Sequence, residues 1–447
     1  MRQNKIVAGI TGMGICSCIG IGVNKVAQNL ANGRSGLSSS DQREEHGYQS
    51  SLMGFVADGA PETPEYAERW KALKKKYHVS KSVSKAMSEQ AKWAAMAVGE
   101  AIEQAKLRDV DLIGCALIVS SDSAIAETVR IGDIMNEVND TRALGGYSVF
   151  KTLNSNVSMT LSQFFHIRGL TLSVSAACAG GGHAVGLAKS LIESGVVSRC
   201  IVVGAQEDDV VSSWAFDSLG IFSQSDDPAH ASRPFDEKHD GLVPSGGAAA
   251  IIMEPCWPSH YLHYNFPLCT YRARNVELFP ALAGVYGYGY STSDSIIKPD
   301  AASYRRTMSQ ACLDAEILFS DIDMVMAHAT GTVEGDEAEA EAITGMCETY
   351  NGGEHEGNEV YARPYVVATK CLTGHECWMS GVSQVVYTIM QMTGGFVSPN
   401  INLENPIPSA RHLNIPRTPQ SAKIKTALLN NFGFGGTNAS LVIEKSL

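Results

Sequence analysis

The chain has 447 residues, of which 44% are hydrophobic and 18% are charged. This is the composition of a globular protein, and it excludes the low hydrophobicity and high charge of disordered chains. Lysine and arginine number 35 against 47 for aspartate and glutamate, so the formal net charge is −12. An acidic chain lacks the basic face that a general nucleic-acid binder needs, and no nucleic-acid partner is expected.

The first predicted element is a buried strand over residues 5–11, followed by a glycine loop (TGMGICS) and a helix that begins near Val23. The loop lacks the third glycine of a dinucleotide-binding fingerprint. Residues 6–23 are uncharged but contain five glycines, too many for a signal peptide or membrane anchor. The eleven cysteines form no framework of close pairs. We therefore expect a cytoplasmic protein with reduced thiols and no membrane segment.

Short β-branched runs alternate with helical stretches along the whole chain. The strand candidates include LIGCALIVSS, TLSVSAA, RCIVVGAQ, AAAIIME, IDMVMAH and YVVATK. Apolar strands that alternate with helices are typical of parallel sheets covered on both faces, so the predicted class is α/β. Residues 255–275 are aromatic, contain proline and have no clear period. They form the best seam between two α/β halves, which predicts domains at 1–256 and 257–447.

The segment SVSAACAGGGHAVGLAKSLIESG is the strongest candidate for chemistry. A β-run over residues 172–175 leads to Cys178, and three glycines and an amphipathic helix follow. Unpaired amides and the helix dipole at such a strand-to-helix turn favour a thiolate. The alternative is an inert core cysteine like Cys115, and this motif alone does not decide between the two.

Three later segments add polar groups at strand ends. MAHATGT runs from a strand into His328, and VVATKCLTGH ends in Lys370 and His375. The loop NNFGFGG is able to turn its amides toward an oxyanion and to swing Phe434 as a gate, although glycine-hinged hairpins without function are common. The combination is more specific than its parts. A cysteine at a helix start, two histidines, a lysine and a Gly–Phe loop are what acyl transfer through a thioester requires.

On these motifs the sequence resembles an elongating β-ketoacyl synthase of bacterial fatty-acid and type II polyketide synthesis. SAACAGG is similar to the family's nucleophile segment, AHATGTVEGDEAE to its first histidine motif, TKCLTGH to its lysine–histidine motif and NNFGFGGTNAS to its closing loop. The likeness spans nearly the whole chain. It implies the thiolase fold, in which two similar α/β halves form a layered αβαβα sandwich.

The resemblance also implies roles for individual residues. Cys178 would attack an acyl thioester presented by acyl carrier protein and carry the acyl chain. His328 and His375 would then assist the decarboxylation of malonyl carrier protein, and the product would be two carbons longer. Lys370 would orient His375, and Glu339, near the start of the next helix, would brace Lys370.

The amides of Cys178 and Phe434 would form the oxyanion hole, with Gly433 and Gly435 allowing the loop to move. No metal or organic cofactor is implied, apart from the phosphopantetheine arm of the acyl carrier protein. Residues 69–85 carry seven basic side chains in an acidic protein. This basic stretch is a candidate dock for the acidic carrier, and an ordinary solvated helix face is the alternative.

Departures from the family pattern bear on the substrate more than on the reaction. Ala177 and Ala329 replace the usual threonine and glycine, and ECWMSG after His375 replaces a small apolar run. There Glu376 and Trp378 are expected to reshape the acyl tunnel or the partner interface. We favour a polyketide or polyene pathway over housekeeping fatty-acid elongation.

Other members of the superfamily are disfavoured by single residues. A degradative thiolase needs a second cysteine near its C-terminus, where this chain has NNFGFGGTNAS, and an initiating synthase uses Cys, His and Asn. A non-catalytic chain-length partner would lack the nucleophile, whereas Cys178 is present. Family members are dimers, so either a homodimer or a heterodimer with a chain-length-factor-like subunit is expected.

Overall fold

The computed structural model describes residues 6–56, 64–122, 124–256, 281–350 and 364–446. Its main sheet contains ten strands, with the two-residue strand Gly20–Ile21 paired to the first of them. The ten are β1 (Val7–Ser17), β2 (Ala116–Ser120), β3 (Thr171–Val174), β4 (Cys200–Gln206), β5 (Gly247–Cys256), β6 (Ala283–Thr292), β7 (Met324–Met326), β8 (Tyr365–Val367), β9 (Thr426–Phe432) and β10 (Thr437–Lys445). The short strands Ser38–Ser39 with Leu52–Met53 and Phe396–Val397 with Gln420–Ser421 form two separate pairs.

Helices cover the sheet and connect its strands. They are α1 (Val23–Ala31), α2 (Asp41–Glu45), α3 (Pro64–Lys76), α4 (Lys81–Ala86), α5 (Glu89–Gln104), α6 (Asp109–Ile113), α7 (Ile125–Val138), α8 (Ser148–Lys151), α9 (Asn156–Phe164), α10 (Gly180–Glu193), α11 (Trp214–Asp217), α12 (Ala301–Asp314), α13 (Val333–Tyr350), α14 (Lys370–Thr373) and α15 (Ser380–Gly394). In the described part of the chain, none combines the length and apolarity that a membrane span requires.

The strand order repeats. The first five strands lie in the order β1-β5-β4-β2-β3, and the last five in the order β6-β10-β9-β7-β8. In each order the second strand is antiparallel to both the first and the third. The fourth strand is parallel to both the third and the fifth. β1 and β6 join the sets by pairing residues 8–10 with 283–285. The six strand candidates of the sequence all lie in this sheet, and the α/β class is confirmed.

Helices and sheet form five layers. One core cluster lies between the first five strands and α5 with α9, and another lies between the last five strands and α12 with α13. The middle cluster holds α10 and α15 between the two sets of strands. This is the αβαβα arrangement predicted above. The predicted boundary at 256/257 coincides with the end of β5, but most of the 255–275 seam lies outside the described residues, so the boundary stays a prediction.

Glycine lets the two central helices touch along their backbones. A Cβ atom added to Gly381 would lie 2.1 Å from the amide nitrogen of Gly182, and one added to Gly181 would lie 2.7 Å from that of Gly381. No other residue fits such an approach. The contact brings the first turns of α10 and α15 together, and with them the two short turns that precede these helices, 177–179 and 377–379.

The predicted glycine loop after the first strand is wrong. TGMGICS continues β1, which runs to Ser17, although α1 does begin at Val23 as predicted. Cβ atoms at Gly12 and Gly14 would lie 2.2 and 2.1 Å from backbone oxygens of α5. These glycines therefore serve close strand–helix packing, and not a turn.

Candidate active site

The nucleophile candidate sits in a tight turn between β3 and α10. Residues Ala177–Ala179 form one turn of 3-10 helix, and Cys178 is buried. Ala177 has a left-handed φ of +46°, and its amide donates a hydrogen bond to Asp122 Oδ2 at 2.8 Å. Asp122 was not singled out in the sequence, because it lies 55 residues before its partner and forms part of no local motif.

His375 faces the sulfur. Its Nε2 lies 3.1 Å from Cys178 Sγ, while its Nδ1 lies 3.4 Å from Ser380 Oγ. The histidine backbone is held on both sides, since its amide donates to the Val243 oxygen at 2.7 Å and its oxygen accepts from the Ser245 amide at 3.0 Å. The ring is thus fixed with one nitrogen facing the thiol.

Burial controls the protonation of this pair. It raises the pKa of the Cys178 thiol to about 12, against the opposing effects of the Lys370 charge and the Phe434 amide. Burial, then the charge of Lys370, hold the pKa of His375 well below its usual range. Burial therefore opposes the thiolate predicted at the helix start, and its effect exceeds that of the helix terminus. A thiol faces a neutral imidazole, which is free to accept its proton.

His328 follows β7 and stands across from His375. The two ring centroids are 5.3 Å apart and the planes are nearly perpendicular, at 87°. Burial first, then the charges of Lys370 and His375, hold the pKa of His328 well below its usual range. In the described part of the chain, His328 Nδ1 has no hydrogen-bond partner. The neutral ring therefore has a nitrogen available to a substrate group.

Lys370 and Glu339 both hold the backbone at His328. Lys370 Nζ donates to the His328 oxygen at 2.6 Å. The Glu339 carboxylate accepts from the amides of His328 and Ala329 at 2.9 and 2.7 Å, and from Asn430 Nδ2 at 2.9 Å. Burial raises the pKa of Glu339 to about 7.

This differs from the predicted arrangement in two ways. Glu339 lies in the second turn of α13, not at the helix start, because the helix already begins at Val333. The second difference concerns the link to Lys370. Both Glu339 oxygens accept hydrogen bonds from donors around His328, so the backbone at His328 links Glu339 to Lys370. Asn430 is a further residue that the sequence did not single out.

The Gly–Phe loop closes over the nucleophile from β9. A Cβ atom on Gly433 would lie 3.2 Å from the Cys178 amide nitrogen, which explains the glycine. The backbone amides of Phe434 and Cys178 both act on the sulfur and lower the pKa of the thiol. Gly435 adopts a φ of +83° and donates from its amide to the Ile296 oxygen at 2.8 Å. Two backbone amides therefore converge where the oxyanion of an acyl transfer would form.

Two cavities meet at the sulfur. Cys178, His375 and Phe434 line both of them. The more enclosed cavity continues between apolar side chains that include Met53, Phe216, Phe222 and Leu242. The other passes His328 and reaches the surface beside Thr330, Thr332 and Lys298. Phe434 stands between the cavities and stacks on Phe216 with 6.2 Å between ring centroids. The arrangement suits a reaction in which a chain stored on one side meets a group that enters from the other.

The structure thus brings together Cys178, His328, His375, Lys370, Glu339 and the Gly433–Gly435 loop, although they span more than 250 residues of sequence. In the described ranges, no group of three or more His, Cys, Asp or Glu side chains is arranged to hold a metal ion. That no cofactor is required remains a prediction.

Comparison with known proteins gives a consistent assignment. The family model for the N-terminal domain of beta-ketoacyl synthases matches residues 5–256, and the model for the C-terminal domain matches residues 282–404. The 3-oxoacyl-[acyl-carrier-protein] synthase 1 of Buchnera aphidicola subsp. Schizaphis graminum is 32% identical over 446 residues, with 98% of each chain covered. The enzyme of the same name from Escherichia coli K12 is 30% identical over 448 residues, with the same coverage.

Solved structures agree on the fold. A beta-ketoacyl synthase from Burkholderia phymatum superposes with a TM-score of 0.82 at 24% identity, covering 98% of this chain and 99% of that one. The ishigamide ketosynthase/chain length factor gives 0.80 at 24% identity, with 99% of each covered. The fold is the thiolase fold. The chain belongs to the β-ketoacyl synthase family, and it is accordingly an acyltransferase of the condensing type.

Proposed function

We propose that this chain performs a decarboxylative Claisen condensation between an acyl group on Cys178 and malonyl-acyl carrier protein, in a polyketide or polyene pathway. The observation that carries the proposal is the Cys178–His375 contact of 3.1 Å at the junction of two cavities, with His328 opposite. A non-catalytic chain-length subunit would have no use for such a thiol–imidazole pair.

The first half-reaction loads the acyl chain. His375 Nε2 accepts the thiol proton while the Cys178 sulfur attacks the acyl thioester carbonyl. The amides of Cys178 and Phe434 stabilise the tetrahedral oxyanion. When the intermediate collapses, the C–S bond to the carrier's pantetheine breaks, and its sulfur takes the proton back from His375. The enzyme is left as an acyl thioester, and both imidazoles are neutral again.

The second half-reaction forms the carbon–carbon bond. Malonyl carrier protein enters by the open cavity and loses carbon dioxide, and its electron pair becomes an enolate of the thioester. A neutral His328 ring donates an N–H hydrogen bond to that enolate oxygen, and His375 does the same from Nε2 once its ring proton has moved there from Nδ1. The enolate carbon attacks the acyl-Cys178 carbonyl and the C–S bond breaks. The cysteine leaves as a thiolate, which takes up one proton from solvent and becomes the thiol again. The product is a β-ketoacyl chain two carbons longer.

Two unpaired polar atoms in the enclosed cavity favour an oxygenated acyl chain. Gln206 and Ser245 line this cavity and are buried, at 5% and 2% exposure. Among the described residues, Gln206 Oε1 and Ser245 Oγ have no hydrogen-bond partner. Buried polar groups without partners are costly. A hydroxyl group on the chain donates to Gln206 Oε1, and a keto or hydroxyl oxygen accepts from the Ser245 hydroxyl, whereas a saturated chain does neither. Housekeeping fatty-acid elongation is the second candidate, supported by the full-length similarity to 3-oxoacyl-[acyl-carrier-protein] synthases 1.

The partner proposed for the basic stretch 69–85 is the acidic acyl carrier protein. Within this stretch Lys74 lies over the Trp70 ring and Lys76 pairs with Glu103, so both are engaged. Lys81 and Lys85 on α4 are exposed, and no ion pair involves them in the described part of the chain. Lys71 and Lys75 on α3 are exposed as well, so the basic stretch 69–85 as a whole is the proposed dock.

A second chain is proposed at the open edge of β3. Leu170 and Leu172 are 41% and 37% exposed along this edge. An unpaired strand edge with exposed leucines is an association surface. We assign it to a second copy of the chain or to a chain-length-factor-like subunit. The cytoplasmic location stays a prediction.

Covalent loading tests the proposed function. The purified protein is incubated with saturated, keto, hydroxy and polyene acyl carriers, and its intact mass is measured. We expect one acyl adduct per chain, no adduct on Cys178→Ala, and faster loading of keto and hydroxy chains than of saturated ones. Unchanged loading of Cys178→Ala would overturn the nucleophile assignment. Faster loading of saturated chains would assign the protein to fatty-acid elongation.

A further inference from the structure

Two short turns adjoin the reacting groups of the candidate site, and both begin in the same unusual conformation. The nucleophile turn is the 3-10 turn Ala177–Ala179, and the base turn is the 3-10 turn Cys377–Met379, which follows His375. The first residue of each turn has a left-handed φ, +46° in the nucleophile turn and +42° in the base turn. This conformation is unfavourable for a residue with a Cβ atom. Each turn therefore depends on contacts that hold its backbone.

The end of β2 contacts both turns. Ser120, the last residue of this strand, donates a hydrogen bond from its hydroxyl to the Trp378 oxygen in the base turn at 2.8 Å. Two residues further along, Asp122 Oδ2 accepts a hydrogen bond from the Ala177 amide at the start of the nucleophile turn, also at 2.8 Å. Neither Ser120 nor Asp122 lines the two cavities at the sulfur. These two side chains therefore act on the turns and not on the substrate.

The base turn has further support from α15. The Met379 amide donates to the Glu376 oxygen at 2.9 Å, and the Glu376 carboxylate accepts a hydrogen bond from the Tyr387 hydroxyl at 2.7 Å. Glu376 lines neither cavity, so the expectation that it reshapes the acyl tunnel is not met. The conformation of the base turn thus depends on more than the end of β2.

The nucleophile turn is held at its start by one side chain. The Ala179 amide donates to the Ala176 oxygen at 3.2 Å, which closes the turn. Among the described residues, the Asp122 carboxyl is the one side-chain group that forms a hydrogen bond to the backbone of this turn. Burial raises the pKa of Asp122, and the Ser175 side chain and the amides of Ala177 and Ala176 oppose this rise. A carboxyl oxygen accepts a hydrogen bond in either protonation state, so the contact does not depend on the charge.

We propose that Asp122 is a positioning residue of the condensation: by accepting the Ala177 amide, it holds the nucleophile turn in its left-handed conformation and so sets the distance between the reacting thiol and imidazole. The inference rests on the proposed function. The conformation at residue 177 sets the direction in which the Cys178 side chain leaves the turn. It also sets the position of the Cys178 amide, whose nitrogen would lie 3.2 Å from a Cβ atom on Gly433. Small displacements of reacting groups slow a reaction strongly.

The test removes the hydrogen bond in one variant and only the charge in another. Asp122→Ala removes the acceptor, whereas Asp122→Asn keeps an amide oxygen that is able to accept from Ala177. Ala177→Gly lowers the steric cost of the left-handed conformation, and it is made alone and together with Asp122→Ala. Asp323→Ala is the matched control, because Asp323 Oδ2 accepts two backbone amides at 2.9 and 3.1 Å outside the site.

For each variant, the rate of Cys178 loading is measured against the concentration of the acyl carrier that loads wild type fastest, together with the melting temperature. We expect Asp122→Ala to load at least about tenfold more slowly at saturating carrier, because it lacks the hydrogen bond. The half-saturating carrier concentration should stay within about twofold of wild type, because Asp122 lines neither cavity. Asp122→Asn should load within about threefold of wild type.

The double variant tests the route by which Asp122 acts. Relative to Ala177→Gly alone, adding Asp122→Ala should slow loading much less than it slows the wild-type protein, because glycine adopts the left-handed conformation without help. Asp323→Ala should melt lower and load like wild type.

Three outcomes would overturn the inference. Loading of Asp122→Ala at the wild-type rate would show that the turn needs no such support. Loading of Asp122→Asn as slow as that of Asp122→Ala would show that the charge acts and not the hydrogen bond. An undiminished effect of Asp122→Ala in the Ala177→Gly background would show that Asp122 does not act through residue 177. A wild-type protein that loads no acyl chain refutes the proposed function instead.

Discussion

The two halves of the molecule share one strand order, but they place different side chains at the turn that leads from the edge strand into the central helix. In each half the chain leaves an edge strand, β3 or β8, makes a tight turn and enters a central helix, α10 or α15. The first turn carries Cys178. The second half inserts α14 between strand and turn, which places Lys370 and His375 there. The repeated topology thus places a cysteine of one half 3.1 Å from a histidine of the other, and the candidate site lies where the two halves meet.

The edges of the two halves differ as well. The edge of β8 is covered by the chain itself, since the Val366 amide donates to the Asn414 oxygen at 2.9 Å. The edge of β3 is partly exposed, and Leu172 stands on it. Edge strands are normally blocked or covered. Among the described residues, the first half therefore leaves an edge uncovered that the second half covers, which supports the association surface proposed above.

The largest expected effect separates the chemical roles of the halves. His328→Ala removes an enolate hydrogen bond from the second half and leaves the Cys178–His375 contact of loading intact. We expect full acyl loading and a condensation rate lower by about 10²- to 10⁴-fold. Intact mass measures loading, and release of the extended product measures condensation. His230→Ala, an exposed histidine outside the site, is the control. Condensation near the wild-type rate would contradict the role given to His328.

The next effect probes the contact that joins the halves. Gly381→Ala places a methyl group against the backbone of α10, where no side chain is able to yield. We expect a loss of about 3 kcal/mol in the free energy of unfolding, measured by urea denaturation. Gly114→Ala is the control, because nothing lies within 4 Å of its added Cβ. Equal stability of the two variants would show that the halves do not depend on this helix contact.

The residues of the candidate site could be predicted from the sequence, whereas the contacts that support them could not. Cys178, His328 and His375 each stand in a motif at the end of an apolar strand, so residue type and local order were sufficient to select them. Asp122 and Asn430 hold the site through hydrogen bonds over 55 and 91 residues of separation. Such pairings are set by the folded topology and leave no local pattern.

In two places a local pattern is outweighed by neighbours that are distant in sequence. The glycines of TGMGICS indicate a turn when only local conformation is considered, whereas in the structure they allow α5 to approach β1. Cys178 at a helix start indicates a thiolate when only the helix terminus is considered, whereas burial raises its pKa to about 12. In both cases a neighbour distant in sequence decides the outcome, and neither close packing nor burial is readable from a short window.

The smallest effect concerns the open edge of β3 and tests the second difference between the halves. Leu172→Asp places a charge where a second chain would cover the strand. Burial of an unpaired carboxylate opposes that association, whereas in the isolated chain the side chain stays in water. We expect unchanged secondary structure and an association constant lower by about tenfold or more in analytical ultracentrifugation. Leu313→Asp is the matched control, since Leu313 is 73% exposed on α12 and away from the sheet edge.

If Leu172→Asp and wild type associate equally, the open edge is not where a second chain binds, and the asymmetry between the covered and uncovered edges has another origin. If both leucine variants weaken association, the interface extends to the second half.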